Sequence, residues 1–211
     1  MKFKGFEEKD FSLFEIMGFE ERMEALKEQL RPKFYDLGDD LKDSLSAMVG
    51  EELFPHVAKH ARRKTNPPND SWVAWGMKRG YKMVPHFQVC VWSTHVLIQW
   101  GIIYEAKDKA TFADNLLKHI EEVKREIPPH FQWYKDHTKP EGIPHSAMTK
   151  EDFETFANRL KNNKNGEVMV GHVILKEHAL QMTPEQFIKE VLHTWEKLLF
   201  LHKLARKRYI L

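Results

Sequence analysis

Three groups of residues in this sequence have types and spacings that could do chemistry. The first is a basic run. Between His56 and Lys82 the cations Lys59, Arg62, Arg63, Lys64, Lys78, Arg79 and Lys82 stand against one carboxylate, Asp70. They surround Asn66-Pro67-Pro68-Asn69-Asp70-Ser71, a stretch stiffened by two prolines. Guanidinium forks and loop donors suit phosphate, so the implied ligand class is a nucleotide or a nucleic-acid backbone. A competing reading is internal. Met1–Phe54 carries fourteen carboxylates against eight cations, and two blocks of opposite sign could simply neutralise each other within the fold. Trp72 and Trp75, three apart on a strand, point to opposite faces and give no shared stacking platform.

The second group is an alternation, His86, Gln88 and Cys90, joined by Gln99 and by His172 further along. Amide and imidazole groups beside small residues make a pocket wall, and an imidazole titrating near neutrality can move protons. Core polar groups satisfied by backbone partners would leave the same pattern, and spacing identifies no carboxylate to serve His86. The third group is His56 and His60, four apart and so on one face if helical, as zinc ligands often are. No cysteine pair, zincin glutamate or third ligand accompanies them, so no metal set is nominated. Nucleophile elbows and glycine-rich phosphate loops are absent. The lone cysteine, Cys90, sits mid-strand as a small hydrophobe.

The elements that must position these groups follow from periodicity. The apolar set Met23, Leu26, Leu30, Phe34, Leu37, Leu41, Leu45 and Met48 marks one helical face, with breaks expected at Pro32 and Gly38. Ser71–Met77 reads as a strand, and Pro85–Glu105 as a hairpin turning at Ser93-Thr94. In that register Val91 faces Val96, Val89 faces Ile98 and Phe87 faces Trp100, leaving His86, Gln88, Cys90, Leu97, Gln99 and Gly101 on the other side. Asp108 or Thr111 caps a helix whose stripe is Phe112, Leu116, Ile120, Val123 and Ile127. Phe131–Lys135 is a short strand, Thr149 with Asp152 opens a second helix, and Val168–His178 forms a central strand. A capping box at Thr183-Pro184-Glu185-Gln186 opens the last helix. The broad apolar face of that helix is either buried or meets a second subunit. Lys203, Arg206, Lys207 and Arg208 complement its dipole and are discounted as a binding signal.

A chain of 211 residues with 42% hydrophobic content can bury one core, so one domain spanning 1–211 is expected. A single cysteine excludes an intramolecular disulfide, the opening MKFKGFEEKDF lacks a signal-peptide core, and no run approaches membrane-span length. A cytoplasmic protein is expected. Arg22-Met23-Glu24, Pro32-Lys33-Phe34, the run Asn66–Trp75, Arg79-Gly80-Tyr81-Lys82 and Pro85–Val89 together resemble the YktB family of bacterial proteins, along nearly the whole chain. The resemblance implies a compact α+β domain whose antiparallel sheet is distantly similar to the biotin-ligase and class II synthetase core. It implies no activity and carries over no functional residues.

The sequence therefore points to an α+β fold, a twisted antiparallel sheet packed against amphipathic helices. The expected ligand site is Arg62, Arg63, Asn69, Asp70, Arg79, Lys82, His86 and Gln88, for an anionic, nucleotide-like small molecule. Two alternatives stay open, an enzyme with its cleft around His86 and a homo-oligomeric interaction protein. Monomer and homodimer are both compatible, and no catalytic residue, metal or cofactor is assigned.

Overall fold

The computed structural model of the chain describes residues 1–107 and 109–206. Asp108, named above as a cap, and Lys207 and Arg208 of the terminal basic cluster lie outside them. The N-terminal region holds α1 (Glu8–Ser12), α2 (Phe19–Ala25) and α3 (Arg31–Val49). Strands β1 (Phe54–Val57), β2 (Asp70–Gly76), β3 (His86–Trp92) and β4 (His95–Ile102) follow. Next come α4 (Lys109–Lys118), α5 (Ile120–Glu126), β5 (Gln132–Tyr134), β6 (Ile143–Pro144) and α6 (Lys150–Asn162). The chain continues through β7 (Val168–Leu175), α7 (Lys176–Gln181) and α8 (Pro184–Leu204). The seven strands form one antiparallel sheet in the order β1-β2-β3-β4-β7-β5-β6, so the fold is α+β.

The expected helix breaks are only partly present. A wide π-type turn at Leu26–Leu30 joins α2 to α3, and Pro32 falls in the first turn of α3, where its missing N–H costs little. Gly38 breaks nothing. Its bare Cα admits Pro55 of β1, which a Cβ would meet at 2.8 Å, and its carbonyl accepts from the Trp75 indole at 3.2 Å. The helix ends instead at Gly50, whose φ of 80° lets its N–H return to the Ser46 carbonyl. His56 lies in β1 and His60 in the following loop, so their spacing does not bring them onto one helical face. The stripe from Phe112 to Ile127 is buried as expected but is divided between α4 and α5 at His119, with Thr111 inside α4. The apolar run after Val168 leaves the sheet at Leu175 and turns into α7.

Two compact units make up the chain. Unit 1 comprises Met1–Trp75, Gln88–Ile98 and Val173–His193. Its core includes an aromatic cluster in which Phe187 of α8 meets Phe3 at 5.5 Å and Phe6 at 5.1 Å. Among the described residues, unit 2 comprises Gly76–Phe87, Gln99–His172 and the chain from Thr194 onward. There α4 packs on α6, Phe112 meets Trp100 at 5.2 Å, and Phe153 and Phe156 flank Trp133 at 5.3 and 5.6 Å. His202 of α8 lies 5.2 Å from the Phe87 ring and accepts the Trp100 indole N–H at 3.1 Å. One imidazole reaching both residues puts Phe87 and Trp100 on the same side of the sheet, as the alternation demands. Phe187, Val191, Trp195, Leu198 and Leu201 of α8 are buried within the chain, so its broad apolar face is already used.

In unit 1, His95 at the start of β4 is buried against Trp92, with ring planes 9° apart. Its Nδ1 lies 2.9 Å from the Thr94 hydroxyl, and its Nε2 has no partner. Burial pushes its pKa down to about 4. Between that value and the ordinary 6.5 the unfolded chain binds the proton that the folded chain refuses, so stability is intact above 6.5 and is lost as pH falls toward 4. We expect a loss on the order of 2 kcal/mol between about pH 7 and about pH 4.5 from this residue. Urea midpoints of the parent and His95→Phe across that range check it; parallel pH profiles would remove His95 as the cause.

Candidate functional site

The sequence-predicted residues fall into two sets. In unit 1 the loop from Ala58 to Asn69 is shaped from beneath by two helix arginines. Arg31 donates to the Lys59 carbonyl at 2.8 Å. The buried Arg22 donates to the carbonyls of Ile16 at 2.7 Å and Pro68 at 2.9 Å, and to the Asn69 side chain at 3.4 Å. Asn69 is thus part of the loop's support. In the same loop Arg62 and Arg63 stand exposed, with Arg63 donating to the Asn66 carbonyl at 3.3 Å. His60 is held at φ 51°, a conformation costly for a residue with a Cβ, with its Nε2 3.1 Å from the Ser71 hydroxyl and its ring edge-on to Trp72.

Asp70 and Gln88 complete the unit 1 set. Asp70 accepts the Cys90 thiol at 3.2 Å. Burial, and then the Asp70 charge, push that thiol well above its ordinary pKa, which keeps it protonated and inert as a nucleophile. Gln88 is buried on β3.

Arg79, Lys82 and His86 belong to unit 2. Arg79 is exposed in the turn before Tyr81–Met83, and Lys82 is half-buried. His86 is 2% exposed, with Nδ1 3.1 Å from the Val84 carbonyl and its ring edge-on to Tyr81 at 5.4 Å. Every residue of β3 and β4 is buried, so the polar side of the hairpin is not an open wall. Nor does His172 join it. A methyl at Gly101 would collide with the Met169 sulfur, so Met169 shares the Gln99 side, and alternation turns His172 to the other. There it meets His130 at 4.8 Å and Phe131 at 5.6 Å. His86, around which a cleft was expected, is thus a buried side chain.

A constellation that spacing could not nominate lies at one end of the sheet in unit 2. Because β7 runs antiparallel between β4 and β5, the ends of those two strands flank its beginning. Glu167, just before β7, is 4% exposed. Its Oε1 accepts the His137 backbone N–H at 2.8 Å and its Oε2 the Tyr104 N–H at 3.4 Å. The Nδ1 of His137 sits 2.9 Å from Oε1 and 3.0 Å from Oε2, astride the carboxylate. Asp136 adjoins them, its Oδ1 accepting the Thr138 amide at 2.9 Å and hydroxyl at 2.6 Å. Partial burial acts to raise the Asp136 pKa, but the two Thr138 bonds outweigh it and hold the group below the ordinary carboxylate value. Nearby, the Lys109 ammonium is committed to three carbonyls at the end of α6, those of Asn163, Lys164 and Gly166.

Comparison with known proteins gives the chain full-length relatives. A family model described as a domain of unknown function, DUF1054, matches residues 6–202. A UPF0637 protein of Bacillus licheniformis is 44% identical over 203 residues, covering 96% of each chain. One of Bacillus cytotoxicus is 43% identical over 208 residues, covering 98% of this chain and 100% of the relative. One of Bacillus velezensis is 44% identical over 203 residues, covering 96% and 97%.

Proposed function

Since the chain belongs to the DUF1054 family, whose UPF0637 relatives carry no assigned activity in their names, we propose its function from its own surface: it is a binding domain for an anionic, phosphate-bearing ligand of nucleotide type, held by Arg62 and Arg63. One observation carries this reading. Part of the acidic N-terminal block is engaged elsewhere, Asp39 with Lys2, Glu7 and Asp10 with Lys33, Glu24 with Lys27, Glu52 with Lys42 and Glu8 with Lys176. Arg63 and Lys64 are exposed, and among the described residues neither has a carboxylate partner. Internal neutralisation thus leaves cations over, on a loop whose shape Arg22 and Arg31 already hold, and a pre-shaped loop loses less entropy on binding. Within this proposal Asn69 acts through loop shape and Asp70 through its bond to Cys90. In unit 2, Arg79 and Lys82 offer charge of the same sign and His86 is buried; Gln88 is buried in unit 1.

The test is thermal unfolding in phosphate, pyrophosphate, AMP and ATP. A ligand at a hundred times its Kd stabilises by about 2.7 kcal/mol, which reads as a clear rise in Tm. The rise is expected to disappear in Arg62→Ala/Arg63→Ala, a surface change worth only about 0.5 kcal/mol by itself. A flat Tm across the panel, or a rise the double variant keeps, refutes the proposal.

We further propose that the chain acts in the cytoplasm as a single domain. In support, its one cysteine is a buried free thiol, and no helix among the described residues is long and apolar enough to cross a membrane. A single family domain spans residues 6–202.

A further inference from the structure

We propose that Asp136, His137 and Glu167 form a binding site for one divalent transition-metal cation. The three residues bring one ligand atom each to within 4.8 Å of one another, and no other such set of His, Cys, Asp and Glu occurs among the described residues. The donor set is one imidazole and two carboxylates. That mixture suits Mn2+, Fe2+, Co2+ or Zn2+ better than Ca2+ or Mg2+, which favour all-oxygen surroundings.

The geometry between His137 and Glu167 fits this use. Ligand atoms each about 2.1 Å from a shared metal lie about 3 to 3.4 Å apart along the edge of a coordination polyhedron. The Nδ1 of His137 is already 2.9 and 3.0 Å from the two oxygens of Glu167, so small movements admit an ion between them. On binding, Nδ1 presents its lone pair to the metal and the ring's proton resides on Nε2; a doubly protonated ring releases one proton to solvent. The third donor is prepared as well. Thr138 occupies Oδ1 of Asp136, and Oδ2 has no hydrogen-bond partner among the described residues.

Charge gives an independent argument. Glu167 is a carboxylate more than nine-tenths buried, and among the described residues its hydrogen bonds come only from two backbone amides and one imidazole. The Lys109 ammonium, which feels the Glu167 charge, makes its own hydrogen bonds to the three carbonyls that end α6. A buried anion favours a cation beside it, and a metal supplies one without requiring a protonated imidazole. The His137 side chain is 31% exposed, which opens one side of the site to water. Three protein ligands and an open side are the arrangement of sites that keep an exchangeable position.

The experiment uses the full chain freed of metal by chelation and of any affinity tag. Zn2+, Mn2+ and Co2+ are titrated by calorimetry, and Co2+ also by its visible absorption, which reports nitrogen and oxygen ligands directly. The expected result is one ion per chain, with affinity reduced at least tenfold in Asp136→Asn and in His137→Gln. Asp136 is half-buried in a loop, so its variant is expected to keep the metal-free Tm and separates lost binding from lost folding. Absence of one-to-one binding, or binding of equal strength in both variants, overturns the proposal; the latter would place the ion on other histidines.

Discussion

Replacing Lys33 with alanine is expected to destabilise the protein by about 3–5 kcal/mol at neutral pH, the cost of leaving a buried charge without its partner. The Asp10 side chain is 0% exposed, and Lys33 meets its Oδ2 at 2.5 Å while also reaching Glu7 at 2.7 Å. The same oxygen accepts the Glu7 backbone N–H at 2.7 Å, which ties the ion pair to the start of α1. Its other oxygen, Oδ1, has no partner. Burial raises the Asp10 pKa above the ordinary value of 3.8, against the pull of Lys33. A carboxyl raised in this way binds its proton more tightly in the folded chain, so its contribution improves as pH falls through the folded pKa and worsens on the way up. Without Lys33 that pKa rises further, and the deficit of the variant must shrink on acidification. Denaturant midpoints for the parent and Lys33→Ala at about pH 7 and about pH 4.5 measure both effects. An equal deficit at the two pH values would show that Asp10 is not the group left uncompensated, and Asp10→Asn/Lys33→Met should recover most of the loss.

Trp133→Ala is expected to cost a similar ~3–5 kcal/mol, for a different reason. The indole is fully buried between Phe153 and Phe156, and it donates to Nδ1 of His145 at 3.0 Å. The other ring nitrogen of His145 lies 3.3 Å from the Lys124 carbonyl, so the imidazole is held neutral with its proton on Nε2. Burial lowers the His145 pKa accordingly. Truncation therefore opens a cavity and also leaves the Nδ1 acceptor unsatisfied. For a chain of this size the loss corresponds to a fall of roughly 10 °C in Tm. Trp133→Phe fills most of the cavity and loses only the donor, so it should cost about 1–2 kcal/mol. If calorimetry finds the two variants equally damaging, packing is not the main contribution at this position.

The parts of the fold that local spacing governs could be read in advance. The boxes at Thr149 and Thr183 open helices because a hydroxyl and a carboxylate or amide three residues on reciprocally satisfy backbone donors. Phe87 and Trp100 share a side because the period of a strand is two. What could not be read depends on partners distant in the chain. Alternation separates His86, Gln88 and Gln99 from the large apolar side chains, but it cannot tell whether their side is covered, and here both sides are. Gly38 looked like a helix breaker because its close neighbour Pro55 comes from another element. The Glu167 and His137 pair is thirty residues apart, joined by the antiparallel arrangement of β5 and β7, and no motif at fixed spacing describes it. The basic run was legible as charge, whereas the lysines that pair with part of its acidic counterpart were not.

The threading of the chain through its two units bears on its biosynthesis. Unit 1 takes its last stretch, Val173–His193, from far beyond the helices that open it. On the ribosome, Phe3 and Phe6 must therefore wait for Phe187 to emerge before their cluster can close. That N-terminal aromatic cluster spends most of translation uncovered, the state in which nascent chains engage chaperones and stray into aggregates. Native structure should consequently form only near the end of synthesis, in a slow step dominated by contacts between remote parts of the polypeptide.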